Sequence, residues 1–396
     1  MSAGRNFKRQ ATAFLARMAR RPKITAEEML ALRPARILIV RQHNQMGDMV
    51  CATPALRAIR ETWPEAEIAL VTAPVNRGIV AHNPHLDRIF TFDRLVWQRP
   101  TRLVKFLAEL RGFRPELAFV LSSVSFSVTS AWIAAASGAR YIVGSDSRPF
   151  GWDVSRHFFS LEMPAKPDLD CHAVAHSLAP LQAIGVTTED TFPVVVPAAS
   201  EVAEAEKIVA ELGLERGFWA LHPGAGKRQN VWPAAGFAEV AKQARAAGHQ
   251  VLILHGPADG EPLAELLRIL GADGADGSEL GPGLAVAPAC EVGVGAALLQ
   301  LADRFVCNDT GIMHMAGAVR VPTVALFGPT DPRLWRPPAP EVVVIKSERQ
   351  DDGPDRGDHG GGQFGWMENI SADDVWQTWS ALPGRKKSMK VGTPWN

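Results

Sequence analysis

Short apolar runs separated by longer amphipathic stretches set the rhythm of the chain. "RILIV" (36–40) reads as a buried strand, and a polar loop, "RQHNQMGD", follows it. Helical periodicity then covers 49–62, and a second apolar run, "AEIALVTAP", covers 66–74. Strand, helix and strand in that order make a βαβ unit, which implies a parallel sheet. The alternation continues through "DRIFTF", a helix around 103–111, "LAFVLSS", a helix ending at Gly138, and "YIVGS". A proline-rich passage at 192–199 interrupts it. The pattern restarts with "FWALHPG", a helix at 234–247, "QVLILHG" and a helix at 261–270, and "DRFVCND" and "VPTVALFGPT" read as the last strands. Two doubly wound α/β halves are therefore predicted, covering 36–198 and 199–345. They are preceded by an extension at 1–35 and followed at 346–396 by a glycine-rich acidic loop, "DDGPDRGDHGGG", and a closing helix near 371–382.

The totals narrow the function classes. At 396 residues the chain is long enough for two ordinary domains. Lys+Arg and Asp+Glu both number 42, so no overall charge draws it toward nucleic acid. The four cysteines are scattered without a CxxC pair, which argues against a disulfide framework or zinc site and for a reducing cytosol. Residues 117–139 carry no formal charge, but six serines and a threonine among those 23 residues fit a buried strand and helix better than a membrane span. No signal peptide is visible. Residues 5–23 hold seven basic side chains and no acid, with Phe7, Ala11, Phe14, Leu15 and Met18 on one helical face. Such a helix fits an anionic membrane surface or a docked leading helix equally.

Ligands of doubly wound sheets bind outside the carboxyl ends of the strands, so residues just after strands matter most. In "HPGAGKRQNVWP", Gly224 and Gly226 permit a tight turn and close approach, while Lys227 and Arg228 offer charge to a phosphate. The spacing matches neither a Walker A loop nor GxGxxG. In "CNDTGIMHMAG", Asp309, Thr310 and Gly311 form a strand-to-helix turn, a natural anion site. Asp309 could equally be an N-cap, and His314 a packed helix histidine. One His and one Asp make no metal site. In "QMGDM", Asp48 opens a helix, as a cap or as a general base. In "HGPADGE", Glu261 at a helix start could accept from a ribose diol.

Taken together these stretches resemble glycosyltransferase family 9, the lipopolysaccharide heptosyltransferase group. The resemblance runs through "ILIVRQHNQMGDM", "LHPGAGKRQNVWP", "HGPADGE" and "CNDTGIMHMAG", and more faintly through "WMENISADDVWQTW". It implies a GT-B fold, with two Rossmann-like domains facing across a cleft, an N-terminal acceptor domain, a C-terminal nucleotide-sugar domain and a last helix returning to the first. It also implies inverting, metal-independent transfer with no cofactor, the nucleotide-diphosphate sugar being co-substrate. Asp48 matches the general base, Glu261 the ribose-binding acid, and Asp309, Thr310, Gly311 and His314 the donor-contacting turn. The basic residue often found two places before "WP" is here Asn230, so Lys227, then Arg228, is expected to serve the diphosphate. The expected reaction moves a sugar, first among candidates a heptose from an ADP-linked donor, onto a lipopolysaccharide-core or other lipid-linked or surface glycan. The expected place is the cytoplasm, peripheral on the inner face of the inner membrane. A nucleotide-sugar epimerase and a non-catalytic nucleotide- or glycan-binding protein are the alternatives.

Overall fold

The structure, a computed structural model, describes residues 21–93, 95, 99–121, 124–165, 167–272, 280–348 and 365–385. Two compact units divide the chain between Pro193 and Val194, five residues before the predicted division. The first unit is built on β1 (Arg36–Val40), β2 (Glu67–Thr72), β3 (Arg88–Thr91), β4 (Leu117–Val120), β5 (Tyr141–Ser145) and β6 (Leu161–Met163). All pair in parallel, in the order β3-β2-β1-β4-β5-β6. The second unit is built on β7 (Trp219–His222), β8 (Val251–Ile253), β9 (Leu284–Val286), β10 (Arg304–Asn308), β11 (Thr323–Phe327) and β12 (Val342–Lys346). These are also parallel, in the order β12-β11-β10-β7-β8-β9, so the second sheet repeats the topology of the first.

The central strands are apolar on both faces because helices cover both sides of each sheet. Ile37, Leu38, Ile39 and Val40 are fully buried, as are Phe305, Val306 and Cys307. The sheets extend further than the sequence pattern indicated: β6, β9 and β12 lie at their edges, and β12 follows what were read as the last strands. The helix expected at 49–62 is two helices, Met46–Cys51 and Thr53–Thr62. Pro54 lacks the N–H that would continue the first ladder and is accepted only in the first turn of the next helix.

The last helix, Ala372–Ala381, packs on the second unit. Its Val375 and Trp379 are fully buried in the core of the second unit, and Arg304 donates to the carbonyl of Trp379 at 2.9 Å. Most of the basic stretch 5–23 and the whole glycine-rich loop 351–362 lie outside the described residues. Arg21 and Lys23 bind within the first unit: Arg21 donates to the Ala135 carbonyl at 2.7 Å, and Lys23 to those of Arg156 and Phe159, each at 2.8 Å. Among the described residues, no helix is long and apolar enough to cross a membrane.

Arg57, on the helix Thr53–Thr62, holds the segment that ends the first unit. Its guanidinium donates to the carbonyls of Asp190 and Phe192 and pairs with the Asp190 carboxylate at 3.2 Å. Its Nε donates to His85 Nε2 at 3.3 Å, so that nitrogen must be unprotonated. Burial, with Arg57 and Arg60 beside it, holds His85 down to about 4. A depressed pKa contributes stability that is complete above the unfolded value of about 6.5 and is lost as pH falls through the folded value. Allowing for solvent screening of this partly exposed ring, the loss between those two pH values is about 1–2 kcal/mol. In urea unfolding at pH 7.5, 5 and 4, His85→Gln is expected to lose less stability with acid than wild type. Equal slopes would refute the linkage.

Candidate functional site

In each sheet the strand order reverses once, between β1 and β4 in the first and between β7 and β10 in the second. Loops leaving the carboxyl ends at such a point diverge and leave a crevice. Most of the residues singled out from the sequence lie on these loops.

In the second unit, β7 runs into Pro223 and the "GAGKRQN" loop. Gly224 is required sterically, since a Cβ there would stand 1.9 Å from Asp259 Oδ1. Asp259 is buried, accepts from the Gly256 N–H at 2.6 Å, and lies 3.0 Å from His222 Nε2, locking the loop after β8 onto the end of β7. Burial pushes its carboxyl up, but His222 and the Gly256 N–H outweigh that and hold it below the usual carboxylate range. Gly226 differs, because a Cβ there would meet nothing within 4 Å. Lys227 and Arg228 are exposed, and Arg228 lies 3.6 Å from Glu261 in the first turn of the helix Gly260–Leu270. An exposed pair of this kind adds at most about 1 kcal/mol, but it brings two of the expected donor residues together.

At the end of β10, Asn308 is fully buried and binds three ways. Its amide donates to the carbonyls of Pro223 at 2.9 Å and Gly224 at 3.1 Å, and its oxygen accepts from the Trp232 N–H at 3.1 Å. Asp309 continues the ladder, donating its N–H to Leu326 at 2.9 Å. It is not the N-cap: Thr310 holds that position in an extended conformation, with no side-chain cap bond, before the helix Gly311–Ala318. The Asp309 carboxylate instead accepts from Asn230 Nδ2 at 3.0 Å and is hydrogen-bonded by Thr330. Burial pushes its carboxyl above the usual value, against the Thr330 hydroxyl and the ammonium groups of Lys227 and Lys346. His314, one turn into the helix, is 5% exposed and meets Trp335 edge to face at 6.3 Å. The positive end of this helix's dipole, with the Lys227 ammonium close to Asp309, makes this end of the sheet favourable for an anion.

Beside the Glu261 turn lies a pocket of about 360 Å³, lined by Gly256, Pro257, Leu263, Ala264, Ala289 and Cys290. Its lining is mostly apolar, which suits a flat ring system more than a charged group.

In the first unit, Asp48 is the third residue of the helix Met46–Cys51, whose N-cap is Gln45 without a side-chain bond. Asp48 is half-buried, and its negative charge is favoured by the first-turn dipole. Behind it Arg41 is 2% exposed and donates to the Asp48 carbonyl at 3.0 Å. Burial lowers the Arg41 pKa, and the charge of Asp48 offsets part of that shift. Gln42 donates to Ser127 at 3.3 Å, and Asn76 donates to the carbonyl of His43, fixing the loop that delivers Asp48.

Sequence reasoning missed Arg41, His222, Asp259, Asn308, Thr330 and Lys346, and met Asn230 only as a departure. The one readable signal was the "D-G-E" spacing that places Asp259 two residues before Glu261. Among the described residues, no cluster of His, Cys, Asp and Glu could hold a metal ion.

Comparison with known proteins follows the same lines. The sequence profile described as glycosyltransferase family 9 (heptosyltransferase) matches residues 118–358, more than half of the chain. Lipopolysaccharide heptosyltransferase 3 of Escherichia coli is 23% identical over 293 residues, covering 74% of this chain and 83% of that protein. Among solved structures, a family 9 glycosyl transferase from Veillonella parvula matches with a TM-score of 0.70 at 20% identity, covering 88% of this chain and 97% of the other. E. coli ADP-heptose lps heptosyltransferase II matches with a TM-score of 0.69 at 22% identity, covering 88% and 98%. At these identities the structural likeness shows the fold alone, which is GT-B.

Proposed function

Because the chain belongs to glycosyltransferase family 9, we propose that it transfers a heptose from an ADP-linked donor to a lipopolysaccharide-core or other lipid-linked acceptor. Family membership makes it a glycosyltransferase and favours transfer over epimerisation or binding without catalysis. The observation that carries the donor-site reading is the 3.0 Å contact between Asn230 and Asp309, which joins the glycine-rich loop to the strand-to-helix turn 79 residues later. In this reading the diphosphate lies between Gly226, Lys227 and the first-turn amides at Gly311. Glu261 accepts from the ribose, and the apolar pocket beside it takes the nucleobase.

Asp48 takes the proton from the acceptor hydroxyl as its oxygen attacks the anomeric carbon. The bond to the diphosphate oxygen breaks on the opposite face, inverting the configuration. Charge builds on the departing diphosphate, and fixed amides and ammonium groups stabilise it without reorganising and without a metal ion. An acceptor bearing a lipid brings the enzyme to the inner face of the membrane.

A thermal-shift panel of ADP, GDP and UDP, each with and without EDTA, tests the donor site. ADP is expected to raise the melting temperature most and EDTA to leave the shift unchanged, since a ligand bound only to the folded state stabilises it by mass action. The donor-site assignment fails if none of the three shifts the melt.

A further inference from the structure

Lys346 ends β12, paired in register with Phe327 at the end of β11. Its ammonium donates to the carbonyls of Gly328 and, at 3.1 Å, Thr330, so it is bent over the loop that leaves β11. The Thr330 hydroxyl in turn bonds Asp309 and lies 3.4 Å from Asn230 Nδ2. Lys346 is thus joined through one residue to the turn that opens the helix Gly311–Ala318.

The charges make this placement informative. Asp309 has two ammonium groups near it, Lys227 and Lys346, so the group carries a net positive charge when Asp309 is ionised. Asp331, the other acid close to Lys346, is occupied by Arg333, with contacts of 3.0 Å to Nε and 2.6 Å to Nη2. The two carbonyls that Lys346 binds hold its direction but do not neutralise it. An ammonium has three N–H groups, and two are used here. An oriented cation at the carboxyl end of a parallel sheet, joined through Thr330 to the turn at the start of the helix Gly311–Ala318, suits a multiply charged phosphate group.

We propose that Lys346 is a donor-binding residue whose ammonium contacts the diphosphate of the nucleotide sugar as a second cation beside Lys227. This rests on the donor-site reading above. A rival role is purely mechanical, with Lys346 tethering residues 328–330 by hydrogen bonds that a neutral side chain could also make.

Calorimetric titration of wild type, Lys346→Met, Lys346→Gln and Lys346→Arg with ADP and with adenosine separates these roles. The expected result is an ADP affinity about tenfold weaker in both the Met and Gln variants, the scale of one charge-assisted hydrogen bond. Adenosine affinity should stay unchanged, and Lys346→Arg should restore ADP binding to within about threefold, because it keeps the charge but not the geometry. Wild-type ADP affinity in Lys346→Gln would leave only the tether and overturn the proposal. So would an equal loss for ADP and adenosine, which marks a general defect of the unit. A wild type that binds neither ADP nor any other nucleoside diphosphate would overturn the donor site itself, and Lys346 with it. That result is distinct from one in which wild type binds ADP and all three variants match it.

Discussion

Replacing Asp48 with asparagine is expected to slow sugar transfer about 10²–10⁴-fold, the range spanned by positioned general bases, with nucleoside diphosphate affinity unchanged. Asparagine keeps the size of the side chain and its place in the first turn of the helix Met46–Cys51, but it cannot take a proton. Donor affinity should hold because every residue assigned to the donor belongs to the second unit, whereas Asp48 belongs to the first. One side effect must be separated from catalysis. Arg41 is buried behind Asp48, and removing the opposing charge leaves its guanidinium less compensated. The melting temperature should therefore fall somewhat, and rates must be normalised to folded protein. Initial rates with saturating donor and acceptor decide the matter. Asp48→Asn turning over at the wild-type rate would remove the base assignment.

The second large effect is steric. Gly224→Ala is expected to destabilise the second unit by about 1–3 kcal/mol and to abolish measurable donor binding, the range set by overpacking a closed site. A methyl group at that position meets Asp259, which cannot swing away. Its carboxylate is held by the Gly256 N–H and by His222, and both side chains of that pair are buried. Moving Asp259 would also disturb the loop that carries Glu261. Gly226→Ala provides the contrast, because its added carbon enters open space. Its stability should stay within about 0.5 kcal/mol of wild type, while diphosphate affinity falls, because that open space is where the ligand is placed. Chemical denaturation and ADP titration of the two variants test the pair together. Equal stability of the two alanine variants would show that the Gly224–Asp259 approach does not constrain the loop.

Much of this architecture was legible from local pattern. Runs such as "RILIV" and "RFVCN" are apolar on both faces, which only a strand covered on both sides requires, and their alternation with helical stretches implied parallel sheets. The edges were less legible for physical reasons. β6 and β9 have three residues each, too few for a period to show. β12 follows "RPPAPE", which reads as loop, and its mixed exposure is that of an edge strand. The break at Ala52 was readable from Pro54, whereas the docking of the last helix on the second core was not, because local periodicity does not name a partner. Residues placed by their own turn, such as Asp48 and Gly311, could be found by reading along the chain. Asn308 and Thr330 could not, since each makes its contacts only when distant strands pair.

The repeated strand order also has a temporal side. In both sheets the first strand made is central, and its inner neighbour is synthesised much later. Asn308 reaches back 85 residues to Pro223. At about 5–20 residues per second, a ribosome leaves β7 without β10 for about 4–17 s. During that interval a strand whose four residues all end up buried has one side unpaired. The amide of Asn308 is thus among the last groups to arrive at the centre of its sheet, and its arrival joins β10 to the glycine-rich loop. In the second unit the loop proposed to hold the donor takes its shape only when the long closure is complete, so nucleotide binding, where that proposal holds, should emerge late in synthesis.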